Sequence, residues 1–252
     1  MDDADIDRLL SVAAITYEYH FFSLQSWAWA TIDQMTSHEV YIECCSSATF
    51  ARIIDVAIIC QKTDLCDSII TKWSDRIRRR TAPSVPAILV ADKHELPSLR
   101  GVAYHVYIQE MIENQTTVTE RGANQFHVDP KLSNSQVMRL LSGYWSLVSF
   151  WERLRRSPPK FLRSQGCSSE SHRTCVDIWE CRWQIIVGSS KILTYSSADV
   201  LSILSCMQDQ LNADHELTRS VKPQCRIMAL ASLKQISDDF YGGLSDHFYG
   251  CI

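Results

Sequence analysis

Residues 137–156 read VMRLLSGYWSLVSFWERLRR, and this stretch decides the fold class. Leu140, Leu141, Tyr144, Leu147, Val148 and Trp151 recur at three- and four-residue steps, which places them on one face of an α-helix. Ser133 or Ser135 supplies a start signal. Ser157-Pro158-Pro159 stops the helix, since proline lacks the backbone N–H that the next turn requires. Alternation at every second residue, the mark of a strand, does not compete seriously anywhere.

Working outward toward the C-terminus, Lys160 to Thr174 is polar and reads as a loop. Cys175 to Val187 reads as helix, with Trp179 and Trp183 one turn apart. Ser196 or Ser197 is expected to cap a helix over 198–211 with Asp199 in its first turn. Lys222-Pro223 opens a last helix through Leu230, Leu233, Ile236 and Phe240, fraying near Gly242-Gly243.

Toward the N-terminus, residues 113–134 lack periodicity and carry Gly122 and the turn signal Asp129-Pro130. Before them, three helix pairs are expected. Asp5 or Asp7 caps the first helix, and 24–35 forms its mate. Ser46 or Ser47 caps 50–60, and after the polar break QKTD comes 65–77 with Arg76, Arg78, Arg79 and Arg80 at its end. Ser84 begins the third pair, which breaks at DKHELP and resumes over 98–112. The expected organisation is all-α: a three-pair scaffold over 1–113, a linker over 114–132, and a helical domain over 133–252.

Composition agrees. Eight Gly and seven Pro are each about 3% of the chain, below the usual ~7% and ~5%, which disfavours turn-rich β architectures. The apolar fraction of 46% suffices for a sizeable core. Net charge is −4, with residues 1–120 at −7 (10 Lys/Arg against 17 Asp/Glu) and the remainder at +3 (15 against 12). Neither part is basic enough to make nucleic acid the default partner. The run Arg76, Arg78, Arg79 and Arg80 and the looser run Arg153, Arg155, Arg156, Lys160, Arg163 and Arg173 read as solvated surface. The longest apolar runs, Val56 to Cys60 and Ala87 to Ala91, have five residues, against the ~20 of a membrane span. The acidic start MDDADIDRLL lacks the form of a signal peptide. Ten Cys, mostly within apolar helical patterns, suit a reducing compartment, cytoplasmic or nuclear.

No nucleophile elbow, dinucleotide turn, P-loop or zincin motif occurs, so no catalytic residue is assigned and no enzyme is expected. Asp3, Asp5 and Asp7 imitate a calcium loop, but the sixth position is Arg8 and the twelfth Ala14, so the segment reads as an acidic helix start. The chemically suggestive segment is GCSSESHRTCVDIWEC, residues 166–181, which spaces Cys167, His172, Cys175 and Cys181 as C-x4-H-x2-C-x5-C. Thiolates and an imidazole are the donors a structural zinc ion takes. No C-x2-C knuckle is present, and Cys181 falls on a helix face pointing elsewhere, so ordinary thiols remain the alternative.

Specific words stand along this layout. They are Tyr17-Glu18-Tyr19-His20-Phe21-Phe22-Ser23-Leu24 before Trp27-Ala28, and Val85-Pro86-Ala87-Ile88-Leu89-Val90-Ala91-Asp92 before Leu99-Arg100-Gly101-Val102-Ala103-Tyr104. Arg139-Leu140-Leu141-Ser142-Gly143-Tyr144-Trp145, Tyr195-Ser196-Ser197-Ala198-Asp199, Cys225 and Asp246-His247-Phe248 follow. In this order they resemble the helical region after the BTB/POZ fold in mushroom-type fungal proteins, together with its C-terminal extension. The resemblance implies a non-catalytic protein–protein interaction scaffold, adaptor-like and without a cofactor. The BTB fold, which mediates dimerisation and in some relatives cullin docking, is not among these residues. The resemblance therefore does not carry a cullin-type ubiquitin ligase link to this chain, which is read as a truncated product or a standalone remnant. The alternative is a zinc-stabilised regulatory or nucleic-acid-associated protein.

The expected docking element is the first helix. Leu9, Leu10, Val12, Ile15 and Tyr19 exceed what one neighbouring helix can cover, so residues 5–35 are expected to self-associate or to capture a helical protein partner.

Overall fold

The computed structural model describes residues 3–114, 116–117, 124–125 and 127–249. Among them the protein is all-α. The helices are α1 (Asp3–Glu18), α2 (Phe22–Ser37), α3 (Glu39–Cys44), α4 (Ser47–Ile59), α5 (Thr63–Arg78), α6 (Ser84–Lys93), α7 (Pro97–Glu113), α8 (Asn134–Arg156), α9 (Ser169–Val187), α10 (Ser190–Leu193), α11 (Val200–Asn212), α12 (His215–Ser220) and α13 (Pro223–Gly242). A 3-10 turn, Leu244–Phe248, follows. Extended structure is limited to Thr116–Thr117 paired antiparallel with Asn124–Gln125. No helix among the described residues is long and apolar enough to cross a membrane.

Two compact units result: Met1–Tyr107 with Val128–Ser133, and Ile108–His127 with Asn134–Ile252. The divide crosses α7 after Tyr107 rather than following the helix. The linker expected over 114–132 lies partly outside the described residues. Its last residues, from Val128, belong to the first unit, where the Asp129 N–H donates to the Tyr107 hydroxyl at 2.7 Å and Leu132 is buried.

In the first unit α1 packs on α2, α4 on α5, and α4 also meets α1 and α6. Apolar residues at helical spacing fill the contacts: Ile6, Leu10 and Ala13 of α1, Ile32 of α2, and Phe50, Ile53, Ile54 and Ala57 of α4 are buried. Phe50 stacks nearly parallel on Trp73 of α5, centroids 5.4 Å apart at 9°. Asp92 of α6 accepts from Arg100 and Tyr104 of α7 at 3.0 and 2.7 Å. Arg76 departs from the expected solvated run. It is buried, donating to the Ile42, Cys45 and Thr81 carbonyls at 2.8, 2.6 and 3.1 Å, with its guanidinium over Phe50. Those acceptors include the Ile42 carbonyl in the last turn of α3, which also takes the Cys45 N–H at 3.3 Å; the sequence pattern does not mark this helix.

Four helix ends in this unit share one geometry. His20, Gln61, Arg80 and Glu95 follow α1, α4, α5 and α6 with φ of 60, 56, 57 and 53°. In each case the next residue's N–H returns to a carbonyl five residues back: Phe21 to Thr16, Lys62 to Ala57, Thr81 to Arg76 and Leu96 to Ala91. This is the Schellman closure, here without the glycine that usually occupies it.

In the second unit α8 carries Leu140, Leu147, Trp151 and Leu154 into the core, as its spacing dictates. Gly143 permits a close approach on that face. A Cβ there would lie 2.2 Å from two ring carbons of Phe248, which is itself fully buried. Three boundaries differ from expectation. Helix α9 begins six residues before Cys175, because the Ser168 hydroxyl accepts from the Ser171 N–H and nucleates the turn early. Asp199 is the N-cap of α11 rather than part of its first turn, accepting from Ser202 N–H at 3.3 Å. A further helix, α12, starts where Asp214 caps the Leu217 N–H at 2.8 Å.

Candidate functional site

Two features of the described residues depart from ordinary helix packing: a thiol–imidazole cluster in the second unit and an uncovered apolar surface in the first.

The cluster is assembled from three segments. Ser164 to Cys167 form a tight turn in which Gly166 has φ +81°, the left-handed value a type II turn needs at its third position. The Cys167 N–H closes it by donating to Ser164 O at 3.2 Å. Helix α9 then brings His172, in its first turn, back toward Cys167. Cys225 comes from the first turn of α13, whose N-terminus is set by Pro223. The Cys167 Sγ, a His172 ring nitrogen and the Cys225 Sγ all lie within 4.8 Å of one another. His172 Nδ1 is 3.8 Å from Cys225 Sγ, and Ser164 Oγ is 3.0 Å from the same sulfur. Phe161 packs edge-on to the His172 ring at 5.2 Å and edge-on to Trp179 at 6.2 Å, giving the cluster an aromatic wall.

The two thiols are electrostatically distinct. Burial alone raises the Cys225 pKa, but hydrogen bonds from Ser164, His172 and Cys167 outweigh it and bring the thiol down to about 6. Its place at the start of α13 also suits a thiolate, because free N–H groups there carry partial positive charge. Burial, followed by the hydrogen bond to Cys225, raises Cys167. One thiolate is therefore available near neutral pH, held by a second thiol and an imidazole.

Of the four zinc ligands expected from sequence, the structure brings together Cys167 and His172 and separates the other two. Cys175 is buried at the head of the stripe Cys175, Trp179, Trp183 and Ile186, whose four- and three-residue spacing turns it into the core. Cys181 is exposed. Cys225 replaces them. Nothing local marked it: it lies 53 residues from His172, and no spacing rule links helix starts so far apart.

The expected docking residues divide as well. Leu10 is fully buried and belongs to the core, while Leu9 and Val12 are half-buried. Ile15 and Tyr19 are exposed, at 54% and 64%. Phe21, Phe22, Leu24 and Trp27, at the turn into α2 and along it, join them in being exposed. The uncovered apolar surface thus centres on the α1–α2 junction rather than on the start of α1. Within residues 15–27 the one acidic side chain is Glu18, while Asp3, Asp5, Asp7 and Asp33 stand toward the opposite ends of α1 and α2.

The basic run that begins in the last turn of α8 forms local pairs. Arg155 and Arg156 reach Glu152 at 3.1 and 3.7 Å, and Arg163 donates to Ser169 Oγ at 2.8 Å. Nine cysteines are described, and none of these forms a disulfide. Compared with protein-family models, with curated proteins and with solved structures, the chain matches none.

Proposed function

We propose that this chain is a non-catalytic protein-interaction scaffold of the kind that follows the BTB/POZ fold in mushroom-type fungal proteins, working in the cytoplasm or nucleus. The observation that carries the reading is the exposure of Ile15, Tyr19, Phe21, Phe22, Leu24 and Trp27 around one helix junction. Single exposed apolar residues need no explanation, but a run of six large ones at a helix corner does. The occupant fitting this surface is an amphipathic helix of another protein that offers an apolar stripe with basic flanks. Apolar contact would supply affinity, and the net charge of −7 over residues 1–120 would favour Lys/Arg on the partner. A second copy would bring like charge against like charge, so self-association is the weaker fit.

The test uses a synthetic amphipathic helix with a leucine face and lysine flanks, titrated into the full chain by fluorescence anisotropy. Binding is expected to weaken strongly in Ile15→Glu and Trp27→Glu without a lower melting temperature. It should also weaken as salt rises. Charge reversal at Arg155 or Arg163 should leave it unchanged. Substitutions that lower the melting temperature would return these side chains to the core. A wild type that dimerises through this surface by light scattering would replace the partner with a second copy.

A further inference from the structure

We propose that Cys167, His172 and Cys225 form a zinc site, with three protein ligands and a fourth position left to water. The argument rests on donor geometry. Zn–S bonds of about 2.3 Å and Zn–N bonds of about 2.0 Å in a tetrahedron separate neighbouring donors by about 3.5–3.8 Å. Cys225 Sγ and His172 Nδ1 are already 3.8 Å apart, and all three donors lie within 4.8 Å, so small side-chain rotations complete the set. Soft sulfur and imidazole donors select zinc over magnesium or calcium, which need oxygen.

Charge and burial agree with this assignment. Both sulfurs are buried and His172 is half-buried. Binding takes both sulfurs as thiolates, any thiol proton still present passing to solvent, and two thiolates with a neutral imidazole then cancel the charge of the ion. A dication in such a pocket would otherwise carry a large desolvation penalty. The surrounding structure also holds the donors in place: Ser164 Oγ contacts Cys225 Sγ, Phe161 packs against the imidazole, and Gly166 allows the turn that presents Cys167. The ion would tie the loop before α9 and the start of α9, which adjoin in the chain, to the start of α13, with Cys225 53 residues beyond His172. This goes beyond the scaffold reading and stands or falls independently of it.

The experiment titrates the full chain, kept reduced, with cobalt(II) and then zinc(II). One cobalt per chain is expected, with the intense visible bands of tetrahedral coordination and a near-ultraviolet thiolate-to-cobalt band, both abolished by zinc. Cys167→Ser and Cys225→Ser should each lose part of the thiolate band. With His172→Gln, they should bind more than about a hundredfold more weakly. Cys175→Ala and Cys181→Ser should bind as the wild type does. The wild-type spectrum needs no variant to fold, so the idea is testable even if one substitution destabilises the chain. A reduced wild type without tetrahedral cobalt bands would overturn it, as would dependence on Cys181 rather than Cys225. A chain that takes up no metal and instead forms a Cys167–Cys225 disulfide under mild oxidation would assign the pair to redox chemistry.

Discussion

In the first unit four helices end on a non-glycine residue in the left-handed conformation, at His20, Gln61, Arg80 and Glu95. In the second unit four helices begin on a side chain that accepts a backbone N–H, at Ser168, Ser189, Asp199 and Asp214. Among α2 to α6 of the first unit one such N-cap is present, Ser46, and the second unit has no left-handed residue besides Gly166 among its described residues. Both devices satisfy backbone groups that a helix leaves free at its ends. They differ in energetic character. A left-handed residue other than glycine carries conformational strain that the return hydrogen bond and nearby packing must offset. A Ser or Asp cap adds a bond without that strain. The first unit thus holds its repeated corners partly through packing, and the second fixes its helix starts through side-chain chemistry.

The sharpest way to break this contrast is at Asp214. Its carboxylate caps Leu217 N–H at 2.8 Å and receives Arg182 Nε and Nη2 at 2.8 and 2.7 Å, with only 4% of the side chain exposed. Asp214→Ala removes a cap and strands a partly buried guanidinium, so a loss of about 2–4 kcal/mol is expected in urea unfolding. Ser46→Ala in the first unit removes only a cap and should cost about 1 kcal/mol. Equal losses at the two positions would erase the distinction.

A smaller effect of opposite sign is expected at Gln61, which is exposed at φ 56°. Gln61→Gly relieves the left-handed strain while leaving the Lys62 N–H bond to Ala57 O in place. A gain of about 0.5–1 kcal/mol should follow, reduced somewhat by the freer unfolded chain. Thermal unfolding measures it, and a lower melting temperature would mean that the Gln61 side chain contributes more than the strain costs.

The smallest effect is a pH dependence. His247 lies against Phe150 and Phe240 and shares a hydrogen bond with Ser146 at 2.8 Å. Burial lowers its pKa, Asp246 opposes the shift and Arg153 adds to it. The His247 contribution to stability is fully present above the unfolded value of about 6.5. It declines as pH falls from there toward the lower folded value, because the unfolded chain takes up the proton first. For Asp55 of the first unit, burial raises the pKa, but bonds from Lys93 and His94 leave it lowered overall, so its contribution is lost only below about pH 4. Between these limits His247→Gln should flatten the stability profile, measured in the Cys225→Ser background so that the thiol does not titrate. An unchanged slope would show that another group carries it.

Much of this architecture could be read from residues close together in the chain. The helical spacing of Leu140, Leu147 and Trp151, the cap at Ser46 and the stop at Pro158-Pro159 depend on interactions within a few residues, which sequence spacing records directly. The breaks at 61–64 and 92–97 were equally visible as polar runs. Their left-handed closure was not, because the usual glycine is absent. Short α3 and α12 also escaped the pattern, since helices of six residues show barely two turns of periodicity.

What the sequence determined alone was therefore the helical class, most helix positions, and the presence of thiol and imidazole donors around 167–181. Tertiary structure decided which donors meet and which apolar side chains stay uncovered. Cys175 and Cys225 are both buried cysteines on helices; spacing places the first in a tryptophan stripe, and only packing between distant segments brings the second to the imidazole. Leu10 and Ile15 are both apolar residues of α1, yet the turn between them puts Leu10 in the core and leaves Ile15 in solvent. In each case the outcome depends on which neighbour occupies the adjoining space. Local spacing narrows the choice of face, and contacts between residues far apart in the chain complete it.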